Sequence, residues 1–180
     1  MLNQKGQESA PFELLVAIVV MGFVLLAGFR VIQILTLEEC KGKLDSNLEE
    51  LKTAIENVAL DSGQRSISFT LPGCFPQNQS ELKITNITER QVCSEICNGA
   101  RLECMVLQFY SPEHSNWKCL RISSATDFPT NTQTCNDFPS EEYTPNRWRY
   151  TPIDEGQYIL IKKTSDLTEQ PRICAYKREV

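Results

Sequence analysis

The chain has 180 residues, enough for one globular domain plus an anchor and short for two independent cores. Its formal net charge of -5 comes with no cluster of lysine and arginine, which argues against nucleic acid as a partner because nothing would neutralise a phosphate backbone. Apolar residues make up 41% of the whole, but they crowd toward the N-terminus, so the average conceals an anchor followed by a polar head.

Met1 to Gln7 is short and polar, with Lys5 as its only charged side chain. Leu14 to Phe29 then reads LLVAIVVMGFVLLAGF without a charge, and the apolar run continues through Arg30 to Leu37. A secretory signal peptide would end on a small-residue cleavage site after a shorter core, and no such site is seen. The segment is therefore expected to stay as an anchor. Leu14 to Leu37 is 24 residues. At about 1.5 Å per residue that span crosses a hydrocarbon layer of roughly 30 Å. Arg30 and Gln33 interrupt it only near the far end, where an arginine stem can snorkel to head groups. Lys5 and the α-amino group give a weak bias toward a cytoplasmic N-terminus.

Helical character continues past the anchor. Between Glu38 and Leu60 there is no proline, and Gly42 is the only glycine. Leu44, Leu48, Leu51, Ile55 and Val58 recur at steps of four, three, four and three, which makes one narrow apolar stripe. Glu49, Glu50, Lys52, Glu56 and Asn57 take the other faces. The pattern predicts one helix from about Pro11 to Leu60, apolar all round and then amphipathic, ended by Asp61-Ser62-Gly63. Such a helix would be roughly 75 Å long, more than a bilayer needs, so its second half is expected to pack on the protein's own head.

From Arg65 onward strand-like runs alternate with turns. Ser66 to Leu71 alternates with period two and breaks at Pro72-Gly73. Further strands are expected at Glu81–Thr85, Cys104–Tyr110, Trp117–Ile122, Gln157–Lys163 and Arg172–Lys177, the last two as a terminal hairpin. One short helix, Glu89 to Cys97, is predicted between them, with Thr88 as N-cap, Gln91 at the capping-box position and Asn98-Gly99 as its stop. Thr126 to Asn146 reads as a long loop. The basic residues Lys162, Lys163, Arg172, Lys177 and Arg178 alternate with strand-like sequence and read as a solvated face. The fold class is thus α+β: a long N-terminal helix packed on a mainly antiparallel, disulfide-rich β head.

All eight cysteines (Cys40, Cys74, Cys93, Cys97, Cys104, Cys119, Cys135 and Cys174) follow the apolar segment. An even number outside a membrane anchor fits an oxidising compartment. The sequons Asn78-Gln79-Ser80 and Asn86-Ile87-Thr88 make Asn78 and Asn86 glycosylation candidates, and they fit the same side of the membrane. The alternative is a zinc site from Cys93-x3-Cys97-x6-Cys104-x14-Cys119, but the close Cys-x2-Cys pairs common in zinc knuckles are absent. Disulfides are the expectation, with no metal and no cofactor. Eight cysteines allow roughly a hundred connectivities. The arrangement expected joins Cys93 and Cys97 to Cys104 and Cys119, lets Cys40 tie helix to head, and pins the loop through Cys135 and Cys174.

Lys5-Gly6-Gln7-Glu8-Ser9 directly before an apolar helix resembles the class III signal peptide of archaeal type IV pilin-like proteins. The resemblance implies that prepilin peptidase cuts between Gly6 and Gln7 and leaves the helix in place. Gln7 and Ser9 then match the mature start. The acid often found at the fifth mature position is replaced by Pro11, and Glu13 stands two residues later to serve instead. The organisation implied is a leader over residues 1–6, a membrane and filament-core helix over 7–37, its amphipathic continuation over 38–62, and a cysteine-rich β head over 63–180. It further implies that the Leu44–Val58 stripe lies along the sheet. The function expected is that of a pilin or minor pilin, a single-pass protein with its head outside that joins a surface filament after processing. Its partners would be the membrane, other pilin subunits and the peptidase. The alternative is an anchored extracellular binding domain that never polymerises.

An enzyme is not expected. His114 is the only histidine and lies in a Ser-Pro-Glu-His-Ser-Asn turn, and no nucleophile elbow, zinc-protease helix or phosphate loop is present. Tyr143, Trp148 and Tyr150 around Pro145 and Pro152 form either an adhesive patch or, on the burial habits of aromatics, core beneath the loop.

Overall fold

The computed structural model describes residues 10–61, 63–99, 102–129, 135, 140, 142–146, 149–150, 155–163 and 170–179. One helix, α1, runs from Ala10 to Leu60. It is followed by β1 (Gln64–Phe69), β2 (Glu81–Ile87), α2 (Arg90–Cys97), β3 (Cys104–Ser111), β4 (His114–Leu120), β5 (Tyr143–Asn146), β6 (Arg149–Tyr150), β7 (Gly156–Lys163) and β8 (Arg172–Arg178). The chain divides into two units, Met1–Lys41 and Gly42–Val180, and the boundary falls inside α1. The helix from Gly42 onward therefore groups with the head.

Within Gly42–Val180 the strands form two antiparallel four-stranded sheets, ordered β1-β7-β8-β5 and β4-β3-β2-β6. β7 and β8 make the expected terminal hairpin, with Ile161 opposite Cys174. In the second sheet Leu82, Phe109 and Asn116 form one cross-strand row, and Ile84, Leu107 and Lys118 the next. Side chains alternate between the two faces of a strand, so these rows share a face. That face meets α1, because Asn116 and Lys118 both bond Asp45 on the helix. In the first sheet Tyr158, Leu160 and Lys162 share a face by the same alternation, and Lys162 donates to the Ala59 carbonyl of α1. The helix thus packs on the inner faces of both sheets.

The core follows from this placement. Leu44, Leu48, Leu51, Ile55 and Val58 are 0–5% exposed, and they share the interior with Ile67, Phe69, Leu82, Leu107, Phe109, Leu120 and Leu160. Burying each such aliphatic side chain contributes about 1.5–3 kcal/mol. The helix stops where its stripe ends. Asp61 donates its N–H to the Asn57 carbonyl, and the Lys162 ammonium takes the Ala59 carbonyl at 2.7 Å, a cation at the negative end of the helix.

Each sheet carries disulfides on its outer face. On the second sheet α2 covers Cys104 and Val106, with Ile87, Ile96 and Cys97 packed alongside. Disulfides Cys93–Cys104 and Cys97–Cys119 fasten α2 to β3 and β4. On the first sheet Cys135 bonds Cys174 of β8 and packs with Tyr176, Tyr143 and Ile161. Cys40 and Cys74 are disulfide-bonded too, and no cysteine is free.

Some local expectations are corrected. The N-cap of α2 is Glu89 rather than Thr88, and no side chain caps it, so the capping box does not form. The helix does stop at Asn98, which itself adopts the left-handed conformation at φ 49° that asparagine tolerates. The stretch Thr126–Asn146 is not all loop. Tyr143–Asn146 is β5, an edge strand beside β8, where Pro145 can sit because an edge position spares its missing N–H. Asp127 also makes a parallel bridge with Arg172. His114 opens β4 opposite Ser111, across a turn of two residues, and its ring stacks 5.9 Å from Phe75.

Candidate functional site: the apolar half of the long helix

Every residue of α1 from Phe12 to Glu39 is exposed. The large apolar side chains between Phe12 and Leu37 present 37–70% of their surface. No alternation breaks the series, because helical geometry spreads an unbroken apolar run over all faces. Among the described residues this is the one helix long and apolar enough to cross a membrane. Its backbone groups pair internally, as any segment in lipid must. Its one threonine follows the same rule, Thr36 donating its hydroxyl to the Ile32 carbonyl at 2.8 Å. Gly22 and Gly28 have nothing within 4 Å of where a Cβ would stand, so another backbone can approach there. Glu13 lies exposed in the first turn, where unpaired N–H groups favour a negative charge.

The other half of α1 is held to the head by a polar network beside the stripe. Lys118 on β4 reaches Asp45 at 2.6 Å and Glu49 at 3.3 Å. Asn116 donates to Asp45 at 2.8 Å, and Lys52 pairs with Glu49 at 2.6 Å. Two turns beyond Glu49, Glu56 accepts the backbone N–H of Arg121 at 2.7 Å. Asn47 donates to the Thr70 carbonyl. Hydrogen bonds from Lys118 and then Asn116 hold the Asp45 carboxyl below its ordinary value. Lys52, with help from Lys118, does the same for Glu49 against the opposing effect of burial. Burial pulls the Lys118 ammonium down, but its bonds to the two carboxylates outweigh that and leave it raised.

This network was not read from the sequence, where Glu49 and Glu56 were placed only on the faces away from the stripe. The available signal was Asp45, Glu49 and Glu56 at helical spacing on one flank of the stripe. The strand cations are likewise placed rather than simply solvated. Lys163 lies over the Tyr176 ring at 5.6 Å, Arg172 meets Asp127 at 3.3 Å, and Arg178 meets Glu142 at 3.2 Å.

Of the residues singled out in sequence, Gly6, Gln7 and Ser9 lie outside the described residues, as do Trp148 and the side chain of Tyr150. Tyr143 is half-buried in the Cys135–Cys174 cluster. Cys93, Cys97, Cys104 and Cys119, the four thiols of the zinc alternative, are joined to one another as disulfides. Asn78 and Asn86 are both exposed on the head. No family model, no curated protein and no solved structure matches this chain.

Proposed function

We propose that the chain is a structural, non-enzymatic subunit of a type IV pilus-like surface filament, a pilin or minor pilin. The observation that carries this reading is the division of α1. Phe12–Leu37 is apolar on every face and exposed, whereas Leu44–Val58 is buried within the head unit. A plain membrane anchor needs the first property; a subunit that assembles through its helix needs both.

In this reading prepilin peptidase cuts between Gly6 and Gln7 while Phe12–Leu37 lies in the membrane. The segment then leaves lipid for the filament core. Lipid tails are about as apolar as leucine, so the transfer is driven by side-chain packing, which Gly22 and Gly28 favour by letting helices close up. Glu13 would enter the apolar core as a charge and needs a partner, for which the new α-amino group of Gln7 on an adjacent subunit is suited. The disulfide-clamped head becomes the outer surface.

The test is the intact mass and N-terminal sequence of the native protein from membranes and from sheared surface material. A chain beginning at Gln7 with oxidised cysteines, recovered in sheared filaments, is the expected result. A chain still beginning at Met1 in surface material sinks the proposal and leaves an anchored extracellular binding domain. For the charge pairing, Glu13→Gln should reduce filament number; normal filaments in that variant would remove the pairing.

A further inference from the structure

The two sequons of the head look alike in sequence but differ in the structure. Asn78 and Gln79 lie in a single 3-10 turn, Gln77–Gln79, with the Gln79 N–H on the Pro76 carbonyl. The hydroxyl of this sequon belongs to Ser80, which is 0% exposed and donates to the Pro76 carbonyl at 2.8 Å. A transferase reads an N-x-S/T sequon through both the asparagine amide and the hydroxyl two residues on. Here the hydroxyl is buried and already bonded.

Asn86-Ile87-Thr88 is arranged otherwise. Asn86 and Ile87 end β2 in extended conformation, and both Asn86 and Thr88 are exposed. Ile87 packs beside the Cys93–Cys104 disulfide and pairs with Cys104, which fixes the extended backbone. On the other edge of β2, β6 pairs with Leu82 and Lys83, so Thr85–Ile87 has no strand on that side among the described residues. Asn86 and Thr88 are thus both exposed, at the end of β2 that has no further partner strand on that side among the described residues.

We propose that Asn86, and not Asn78, carries an N-linked glycan, transferred to the folded head from a lipid-linked sugar phosphate or pyrophosphate. The Asn86 Nδ2 forms a bond to C1 of the sugar and loses one proton. The bond from C1 to the lipid phosphate oxygen breaks, and the phosphate leaves with the electron pair. The inference rests on the head lying outside the membrane, as in the filament reading, but not on polymerisation.

Peptide mapping by mass spectrometry of the native protein and of N86Q, T88V and N78Q made in the same cells tests it. The glycan mass is expected on the Asn86 peptide, absent in N86Q and T88V, and unchanged in N78Q. A bare Asn86 in surface material, or sugar on Asn78, overturns the proposal. The N-terminus read from the same sample separates the two ideas. A Gln7 start with bare Asn86 ends the glycan inference alone, and a Met1 start with glycosylated Asn86 ends the filament reading alone.

Discussion

The two halves of α1 share one backbone and meet opposite environments. Between Phe12 and Leu37 the apolar side chains point everywhere and all are exposed; between Leu44 and Val58 five of them form a stripe that is 0–5% exposed. The difference is one of hydrophobicity and of pattern together: the first half is almost free of charge, and the second sets charged residues between its apolar ones. A narrow stripe flanked by carboxylates and lysines can be buried by one neighbour and still leave polar faces for water. An all-round apolar surface needs a solvent or an assembly that surrounds it.

The strongest way to break the comparison is to place the same charge in each half. Leu48→Asp puts a carboxylate where exposure is 0%. It should cost more than the roughly 3–5 kcal/mol of a buried leucine-to-alanine change and leave the head unfolded, seen as lost near-UV circular dichroism in detergent. Leu25→Asp, on an exposed position, should leave that signal intact while weakening membrane retention. Equal effects of the two variants on the head would mean that both halves are packed alike.

Oxidation sharpens the contrast at a smaller scale. In a chain-entropy account the Cys135–Cys174 bond, spanning 39 residues, stabilises the head by about 4 kcal/mol, and Cys93–Cys104, spanning 11, by about 3 kcal/mol. Paired serine substitutions should therefore lower the melting temperature in that order. Membrane retention should stay unchanged in both, since Phe12–Leu37 contains no cysteine. A reversed order would point to native-state packing, rather than loop closure, as the source of the stabilisation.

What could be read in advance follows the range of the forces involved. The stripe is local: steps of three and four along one helix name Leu44, Leu48, Leu51, Ile55 and Val58, and all five are buried. Strand alternation is local too, so β1 was visible from Ile67 and Phe69, and β7–β8 from two apolar runs around one loop. The split into two sheets was not visible, because it depends on long-range pairing: β1 passes by β2, β3 and β4 to join β7 and β8, and β5 and β6 then join different sheets. The role of Lys118 was equally hidden. Its partners Asp45 and Glu49 are about seventy residues away, and nothing in its own strand marks it as paired. The long apolar helix could be read as such; Gly6, Gln7 and Ser9, which carry the family resemblance, stand outside the described residues.

The smallest effect concerns that network, and its sign can be worked out. Asp45 and Glu49 have lowered values in the folded head, so their stabilisation is complete above the ordinary carboxylate range of about pH 4 and is lost as pH falls through the lower folded values. Lys118 is raised, so its share persists at neutral pH and is lost only above the ordinary lysine value of about 10.4. The head should therefore keep a flat melting temperature between roughly pH 5 and 10 as far as this network is concerned, and lose stability in acid. Both carboxylates are about half exposed, at 53% and 48%, so water screens them and each contributes less than about 1 kcal/mol. The double variant D45N/E49Q should accordingly be slightly less stable at neutral pH and show a shallower acid limb. Leu25→Asp, in the other half of the helix, should reproduce the acid limb of the unaltered chain. An acid limb unchanged in D45N/E49Q would mean that the stripe alone, without its charged flank, holds the helix to the sheets.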